Sequence, residues 1–453
     1  MKRKLLLFLT VFSLLLTACG ASPAVLSTEG EHWTMGFSSV EIIPPDEPLN
    51  IAGYNQGVKI TGVLDYQRAS AVWMDTGGDG VVLIGIDCVG LSIGTIARIR
   101  DRIDLDAEVF VYSTHTHAGI DTLGLWGEIA TDGKNETFQN RLIEAAVTAA
   151  ENAYASRTPG KLYYGKVRTE GMYRDSRDPQ VCDENMYILR FAPESGTGLR
   201  IVNYAAHAEA LRGDNTLLSR DFPGVMADII KAETGDDMMF VPGAIGGLIM
   251  TRVMCEGEFD AEENLRLTGE ALAAYALSDY SETELPPQLA AARTKFDVPL
   301  DNTAFMYYRF LGILDNPAKR GSGDTGYTLT TEMALLQLSG ITMALIPGEI
   351  FPELVYGGYF PDNAELNPTP LAEIAAGYGV KELLIAGLAG DEIGYIVPPN
   401  DFLLSETAPY FDKIVDARGE NHYEETNSTG IRTAHCIAAT FSALLAAMCE
   451  TAG

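Results

Sequence analysis

Side chains able to bind a metal ion or to transfer protons follow several apolar stretches of the sequence. These side chains are Asp87, His115, His117, His207, Glu349 and Tyr395. The apolar stretch Val81 to Ile86, for example, leads directly into Asp87. Polar residues placed where buried strands end are typical of a site built on the rim of a rigid sheet. Three of the six histidines belong to this set, so the sequence predicts a site that uses imidazole chemistry.

His115 and His117 are separated by one residue. In extended backbone such residues point to the same side of the chain, so the two rings could share a metal ion or flank one. Two hydrogen-bonded turn histidines explain the spacing equally well. Taken singly, His207 is more typical of a core histidine, and Glu349 could simply favour the start of a helix through its charge. Tyr395 alone is an ordinary half-buried aromatic residue, so the individual residues leave both readings open.

The elements that must position these residues alternate between apolar strands and amphipathic helices. Strands are expected at Val81 to Ile86, Glu108 to Ser113, Met186 to Phe191, Arg200 to Ala205, Met238 to Val241, Ile341 to Ile346 and Leu383 to Leu388. Helices are expected at Asn135 to Ser156, Pro223 to Glu233, Glu262 to Leu277 and Ile431 to Cys449. This alternation predicts a mixed α/β fold with buried β-sheets flanked by helices. A single catalytic domain over residues 32–453 is the simplest organisation.

Composition narrows the possible partners. The chain has 453 residues, of which 47% are apolar, so it can bury a substantial core. Its 62 acidic and 32 basic side chains give a formal net charge of −30. A field of this sign repels phosphate backbones, which argues against nucleic acid as a partner.

The first twenty residues have the pattern of an export signal. Residues 2–4 are cationic, Leu5 to Leu16 are apolar, and small residues surround Cys19. The end of this segment, Leu-Thr-Ala-Cys, resembles a bacterial lipobox, although a plain signal peptide is the alternative. The prediction is a lipoprotein signal peptide at residues 1–18, lipidation of Cys19 and a tether at residues 19–31. The mature protein would then be exported and anchored to the cell membrane through its N-terminal lipid.

The order of the motifs resembles the neutral, non-lysosomal ceramidase family. The segment Ser113 to Gly119 resembles the family signature Thr-His-Thr-His-Ser-Gly, and Asn203 to Ala208 resembles its Asn-Trp-Phe-x-x-His-x-Thr block. Further segments follow in the family order: Gly53-Tyr54, Asp65 to Ala71, Ile86-Asp87, Ser219 to Gly224, Ile346 to Glu349, Gly394 to Val397, His422 to Glu424 and Ser428-Thr429. The chain is thereby identified as a divergent relative of the N-terminal catalytic domain of this family. The order is specific for the superfamily but not for a substrate.

The resemblance implies a zinc site and a set of catalytic residues. The family binds one zinc ion through two histidines, a glutamate and a tyrosine, which map onto His115, His207, Glu349 and Tyr395. These donors suit Zn²⁺, which lowers the pKa of bound water towards about 7. In the same mapping His117 is the general base and acid, and Tyr423 donates to the oxyanion. Arg174 matches an arginine beside the site, with Arg177 as a competing assignment.

The chain departs from the family in three places. The family reads Gly-Asn-Leu-Ser-Pro or Gly-Asp-Val-Ser-Pro where this sequence has Gly246 to Met250, so Ile249 replaces a serine implicated in ceramide hydrolysis. An aliphatic side chain can be neither a nucleophile nor a hydrogen-bond donor. Pro398 to Asp401 replace Thr-Thr-x-Glu, and additional residues precede His422, which predicts a remodelled pocket rim. The C-terminal immunoglobulin-like domain of the family is expected to be missing.

The leading hypothesis is an exported, zinc-dependent amidohydrolase that cleaves an N-acyl (sphingo)lipid or a related amide by zinc-activated water. The expected partners are therefore a small-molecule or lipid substrate and, through the anchor, the membrane. Ile249 suggests a second hypothesis, a zinc hydrolase of a different amide or ester. A third is a surface lipoprotein that keeps the fold and the metal but only binds a lipid or glycan.

Overall fold

The computed structural model describes residues 23–253 and 260–452 of the chain. The expected signal peptide and the expected lipidation site Cys19 lie outside the described residues. The helices of the described part are α1 Ile93–Arg100, α2 Glu136–Ala155, α3 Phe222–Thr234, α4 Ala261–Ala276, α5 Thr303–Phe310, α6 Pro352–Tyr356, α7 Leu371–Gly377 and α8 Thr433–Ala452. Short 3₁₀ segments are η1 Ala364–Leu366, η2 Pro399–Asp401 and η3 Glu424–Asn427.

Two large sheets contain most of the described strands. The nine-stranded sheet holds β2 Trp33–Glu41, β4 Arg68–Asp75, β5 Gly80–Ile86, β6 Ala107–Ser113, β7 Thr158–Arg168, β9 Asn185–Pro193, β10 Leu199–Tyr204, β12 Asp237–Pro242 and β14 Glu282–Leu285. The six-stranded sheet holds β1 Val25–Glu29, β15 Gln288–Leu300, β16 Ala318–Arg320, β17 Tyr327–Leu338, β18 Ile341–Leu345 and β20 Glu382–Ala386. Short pairs are β3 Gly62–Val63 with β11 Leu217–Leu218, β8 Tyr173–Arg174 with β13 Met250–Thr251, β19 Glu349–Ile350 with β21 Tyr395–Ile396, and β22 Ile414–Val415 with β23 Asn421–His422.

The strand order explains where polar residues can collect. The nine-stranded sheet runs β12-β10-β9-β7-β2-β4-β5-β6, with β14 on β7, and the six-stranded sheet runs β1-β15-β17-β18-β20, with β16 on β17. Most neighbours are antiparallel, but β5 and β6, β10 and β12, and β18 and β20 are parallel. Parallel neighbours end at the same edge of a sheet, so residues that follow these strands gather there.

The two sheets pack face to face and helices cover their outer faces. Leu83 and Phe110 of the nine-stranded sheet share a buried cluster with Leu336 and Met343 of the six-stranded sheet. Helices α1 and α2 cover one part of the outer face of the larger sheet, and α3 and α4 cover another part. Helices α6, α7 and α8 cover the outer face of the smaller sheet. The fold is a four-layer α/β/β/α sandwich, which confirms the predicted buried sheets flanked by helices.

Capping side chains set several helix boundaries. Helix α2 is expected from Asn135 to Ser156 and is observed between these residues, because the Asn135 side chain accepts a hydrogen bond from the Phe138 backbone N–H. Buried residues of α2 recur at helical spacing, with Phe138 and Leu142 fully buried. Burying each such side chain contributes about 1.5–3 kcal/mol.

The N-terminal strand differs from the sequence-based expectation. Val25–Glu29 lies within the expected tether, but it pairs antiparallel with β15 in the register Val25 with Ala292 through Glu29 with Gln288. The segment joins the edge of the six-stranded sheet because its backbone completes the ladder of β15. Residues 25–29 are therefore part of the folded domain.

Helix α8 is buried on one side although its composition is strongly apolar. By length and composition alone, Thr433–Thr451 could cross a membrane. Half of that window is buried in the structure, where Phe441 and Leu444 pack against the six-stranded sheet. These contacts give α8 the place of a core helix.

Candidate metal centre

Loops that follow β6, β10, β18 and β20 meet at one edge of the sandwich. Thr116 and Ala208 form an isolated parallel bridge, and the His117 backbone N–H donates to the Ala208 carbonyl at 2.9 Å. The Asn203 side chain donates to the carbonyls of Val241 and Ile385, which ties β10 to β12 and β20. Residues that are far apart in the sequence thereby line one site.

Three imidazoles and one carboxylate converge at this edge. One ring nitrogen of each of His115, His117 and His207 lies within 4.8 Å of the other two. The Nε2 atoms of His115 and His117 are 3.1 Å apart. The Oε2 atom of Glu349 lies 2.9 Å from His207 Nε2 and 3.5 Å from His115 Nε2. The sequence predicted this grouping only through the family resemblance, and the structure brings all four residues together.

Main-chain carbonyls orient two of the three rings. His115 Nδ1 donates to the Val89 carbonyl at 2.6 Å, and His207 Nδ1 donates to the Ile249 carbonyl at 2.9 Å. A metal-binding histidine usually gives its second ring N–H to such an acceptor, which fixes the ring and leaves the other nitrogen for the ion. In both rings this other nitrogen is the Nε2 atom that faces Glu349.

The backbone at His115 is not extended. Strand β6 ends at Ser113, and His115 has a φ of 65°, in the left-handed region that residues other than glycine rarely occupy. The rings of His115 and His117 do face each other. A turn brings them together, however, and not the side-chain alternation of an extended strand. Such conformations cost of the order of 1–3 kcal/mol and are concentrated at functional sites.

The buried charges support one another. Burial disfavours the charged forms of His207 and Glu349, but their hydrogen bond and mutual attraction outweigh the effect of burial. As a result, the pKa of His207 rises to about 9 and the pKa of Glu349 falls well below its usual range. Both ring nitrogens of His207 face acceptors, which fits an imidazolium. Burial and then the charges of His115 and His207 hold the pKa of His117 well below its usual value, so this ring is neutral.

Metal binding should therefore release a proton. His207 is protonated below a pKa of about 9, and it must lose that proton before Nε2 can bind an ion. Through this group alone, the apparent metal affinity is expected to rise with pH up to about 9, and to fall about tenfold for each unit below that value. Calorimetry in buffers of different ionisation enthalpy should detect one proton released per metal ion at pH 7. Binding without proton release at this pH would contradict the assignment.

Two tyrosines border the cluster. Tyr395 is buried opposite Glu349 in the β19–β21 pair, and burial, followed by the negative charge of Glu349, raises its pKa well above the usual value. The ring of the half-buried Tyr423 lies 6.1 Å from that of Tyr395, with Lys413 Nζ 4.6 Å from the Tyr423 ring centroid. Burial and then Glu349 raise the pKa of Tyr423 as well. Its hydroxyl therefore keeps its proton and can donate a hydrogen bond.

Arg177 packs against the wall of the site, whereas Arg174, the arginine first expected there, is exposed. Arg174, in strand β8, is exposed. Arg177 is buried, and its guanidinium lies 5.5 Å from the centroid of the Phe351 ring, which contacts the ring of Tyr395. These contacts favour Arg177, which the family resemblance offers as the competing assignment, as the arginine packed beside the site.

Arg177 is held by carboxylates from two segments. Its guanidinium donates to Glu424 at 2.9 Å, to Asp401 at 2.7 Å and to Glu425 at 3.3 Å. Glu424 and Glu425 open the 3₁₀ segment that begins directly after Tyr423. Arg177 therefore supports the wall of the site and does not project into the cluster of histidines.

Ile249 contributes its backbone to the site. Its side chain is fully buried with residues of α3 and α4, while its carbonyl accepts from both the backbone N–H and Nδ1 of His207. The position that carries a serine in the resembled family thus offers no hydroxyl here, but it orients a candidate metal ligand.

Glu209 is a site residue that the sequence does not predict, and Tyr54 is predicted only as part of the Gly53-Tyr54 segment, without a role. The Tyr54 hydroxyl donates to Glu209 Oε2 at 2.5 Å, and the same oxygen lies 3.5 Å from His117 Nδ1. The acidic residue one position beyond the His207-Ala208 pair is the local signal for Glu209.

The donors fit a divalent ion such as Zn²⁺. Imidazole nitrogen, carboxylate oxygen and phenolic oxygen are ligands that zinc accepts. Glu349 Oε2 already lies within 3.5 Å of the Nε2 atoms of both His115 and His207. His115, His207, Glu349 and Tyr395 would hold it. The fold and the cluster thus define an α/β/β/α protein with a buried histidine–carboxylate centre able to hold a metal ion.

Comparison with solved structures agrees with this description. The structure of the neutral ceramidase from Pseudomonas aeruginosa is similar, with a TM-score of 0.72 and 15% sequence identity, over 93% of this chain and 75% of that chain. A structure described as ceramidase complexed with C2 is similar with a TM-score of 0.70 and 16% identity, over 93% and 76% of the two chains. No protein-family model and no curated protein sequence matches the chain. The chain therefore has a neutral-ceramidase-like fold.

Proposed function

We propose that the protein is an exported, zinc-dependent amidohydrolase that cleaves the amide of an N-acyl lipid or a related compound. The observation that carries this proposal is the convergence of His115, His207 and Glu349 with a third imidazole, His117, at one edge of a neutral-ceramidase-like fold. The lipid anchor at Cys19 and the export that it implies remain predictions from the sequence.

The residues around the cluster have complementary roles in this proposal. A bound divalent ion supplies Lewis acidity and lowers the pKa of a coordinated water. His117 is neutral and lies beside His115, so it can take a proton from the nucleophile and return it to the leaving amine. Tyr423 keeps its proton and can donate to the oxygen that becomes negative when the carbonyl is attacked. Glu349 offsets the positive charge of the centre.

A zinc hydrolase of a different amide or ester is the second candidate. Ile249 favours it, because the position offers no hydroxyl for substrate contacts and its side chain is packed in the core. A substrate without the hydroxyl-rich head of a ceramide would not need that donor.

One experiment tests the proposal and separates these candidates. Purified protein is analysed for metal content and assayed on a panel of ceramides, other N-acyl amides and esters. We expect one zinc ion per chain and amide cleavage that is lost in His115→Ala and kept in His435→Ala, which removes an exposed histidine of α8. A preference for esters or for other amides would select the second candidate. Bound zinc without turnover of any acylated compound would indicate a binding protein, and absence of zinc would end the proposal.

A further inference from the structure

The environment of His117 differs from that of the other two imidazoles. His115 Nδ1 and His207 Nδ1 donate to main-chain carbonyls. His117 Nδ1 is buried and, among the described residues, makes no hydrogen bond. The group that faces it is the carboxylate of Glu209, with Oε2 at 3.5 Å and with both side chains about nine-tenths buried, at 11% and 12% exposure.

Glu209 is itself held in place. The Tyr54 hydroxyl donates to Glu209 Oε2 at 2.5 Å, and the Tyr54 ring packs edge-on against the His117 ring with centroids 5.1 Å apart. Gly53 allows this close approach, because a Cβ atom there would lie 2.6 Å from His117 Cβ and Cγ. The carboxylate and the ring are therefore fixed relative to each other by the same short segment.

The two ring nitrogens of His117 have different neighbours. Nε2 lies 3.1 Å from His115 Nε2, whereas Nδ1 faces the carboxylate of Glu209. A neutral imidazole carries its proton on one nitrogen and accepts with the other. A proton on Nδ1 would find its acceptor in Glu209, and Nε2 would then be free to accept.

We propose that Glu209, held by Tyr54, is the positioning residue that keeps the proton of a neutral His117 on Nδ1 when the metal centre is loaded. With Nδ1–H donating to Glu209, His117 Nε2 would be free to accept a proton from the nucleophile. Glu209 stands where the resembled His-x-Thr block has Thr.

This inference rests on the proposed metal-dependent function, and its test reads the ring directly. Zinc-loaded protein labelled with ¹⁵N-histidine is examined by long-range ¹H–¹⁵N NMR, with His117→Ala used to assign the signal among the six histidines. We expect Nδ1–H in the zinc-loaded wild type. Glu209→Gln keeps the size of the side chain, but its amide can donate to Nδ1 and so favours Nε2–H in the zinc-loaded variant.

The kinetic consequence follows from the tautomer. In Glu209→Gln, kcat should fall about 100-fold, the lower range for loss of a general base, while KM and zinc affinity stay unchanged. Glu282→Gln is the matched control. It removes the charge of a β14 carboxylate that is paired with Arg190, and it should change none of these quantities. In a His117→Ala background, Glu209→Gln should have no further effect on kcat.

Two results would overturn the inference. The first is that zinc-loaded wild type and zinc-loaded Glu209→Gln have the same His117 tautomer. The second is that Glu209→Gln loses turnover only because it loses zinc, which would make His117 a metal ligand. Failure of the proposed function is distinguishable from both. A wild type that binds zinc but cleaves no amide would remove the activity, while the ring signals would still decide the role of Glu209.

Discussion

Glu349→Gln should abolish metal binding while leaving the fold intact. The Glu349 carboxylate contacts His207 and His115 through a single oxygen and supplies negative charge to the buried cluster. A carboxamide of the same size keeps the packing but loses the charge, and loss of an outer contact alone already weakens metal binding about 10–100-fold. We therefore expect zinc affinity to fall by more than about 100-fold, together with loss of amide cleavage. Competition with a chelator of known affinity, monitored by metal analysis, measures the change.

Glu353→Gln is the matched control for this variant. Glu353 is also buried and lies in α6, shortly after the strand β19 that carries Glu349. Burial raises its pKa to about 8, so at pH 7 it is mostly neutral and a glutamine resembles its natural state. Its replacement should leave zinc affinity unchanged. Stoichiometric zinc of wild-type affinity in Glu349→Gln would remove Glu349 from the ligand set.

Arg177→Met should produce the largest loss of stability. The variant leaves Asp401, Glu424 and Glu425 buried close together without the cation that they share. Removing one partner of a buried ion pair costs about 3–5 kcal/mol, because the remaining charge stays uncompensated. Methionine keeps much of the apolar stem, so the loss reports on charge more than on packing. Denaturant unfolding followed by circular dichroism measures it.

Arg418→Met provides the comparison. Arg418 also binds Asp401, but its side chain is 38% exposed. Water can therefore solvate Asp401 once the guanidinium is removed. The loss of stability should stay near the 0–1 kcal/mol typical of surface ion pairs. If the two variants lose equal stability, the buried carboxylates do not depend on Arg177. Because Glu424 follows Tyr423 directly, Arg177→Met should also reduce turnover, which Arg418→Met should spare.

Strand and helix positions were predictable because their signals are local. The strand expected at Val81 to Ile86 is Gly80–Ile86, and the strand expected at Arg200 to Ala205 is Leu199–Tyr204. In a protein with a large core, short apolar runs of this length are typical of buried strands. The class of fold follows from their alternation with helices, whereas the face-to-face packing of two sheets required the structure.

The site was predictable in its members but not in its contacts. Family resemblance grouped His115, His207 and Glu349, yet nothing in the spacing shows that His207 and Glu349, 142 residues apart, form a hydrogen bond. Arg174 is exposed and Arg177 is buried, and nothing in a sequence stretch that holds both shows this difference. The sequence predicts a tether at Val25–Glu29 because the strand that pairs with this segment, β15, lies far along the chain.

The position of β1 limits how far the domain could stand from a membrane. Cys19 precedes Val25 by six residues, and six fully extended residues span only about 20 Å. If Cys19 carries the predicted lipid, this short linker would hold the sheet edge that contains β1 close to the lipid headgroups. With the proposed activity, the protein would then act on substrate at the surface of its own membrane and could not reach molecules far from it.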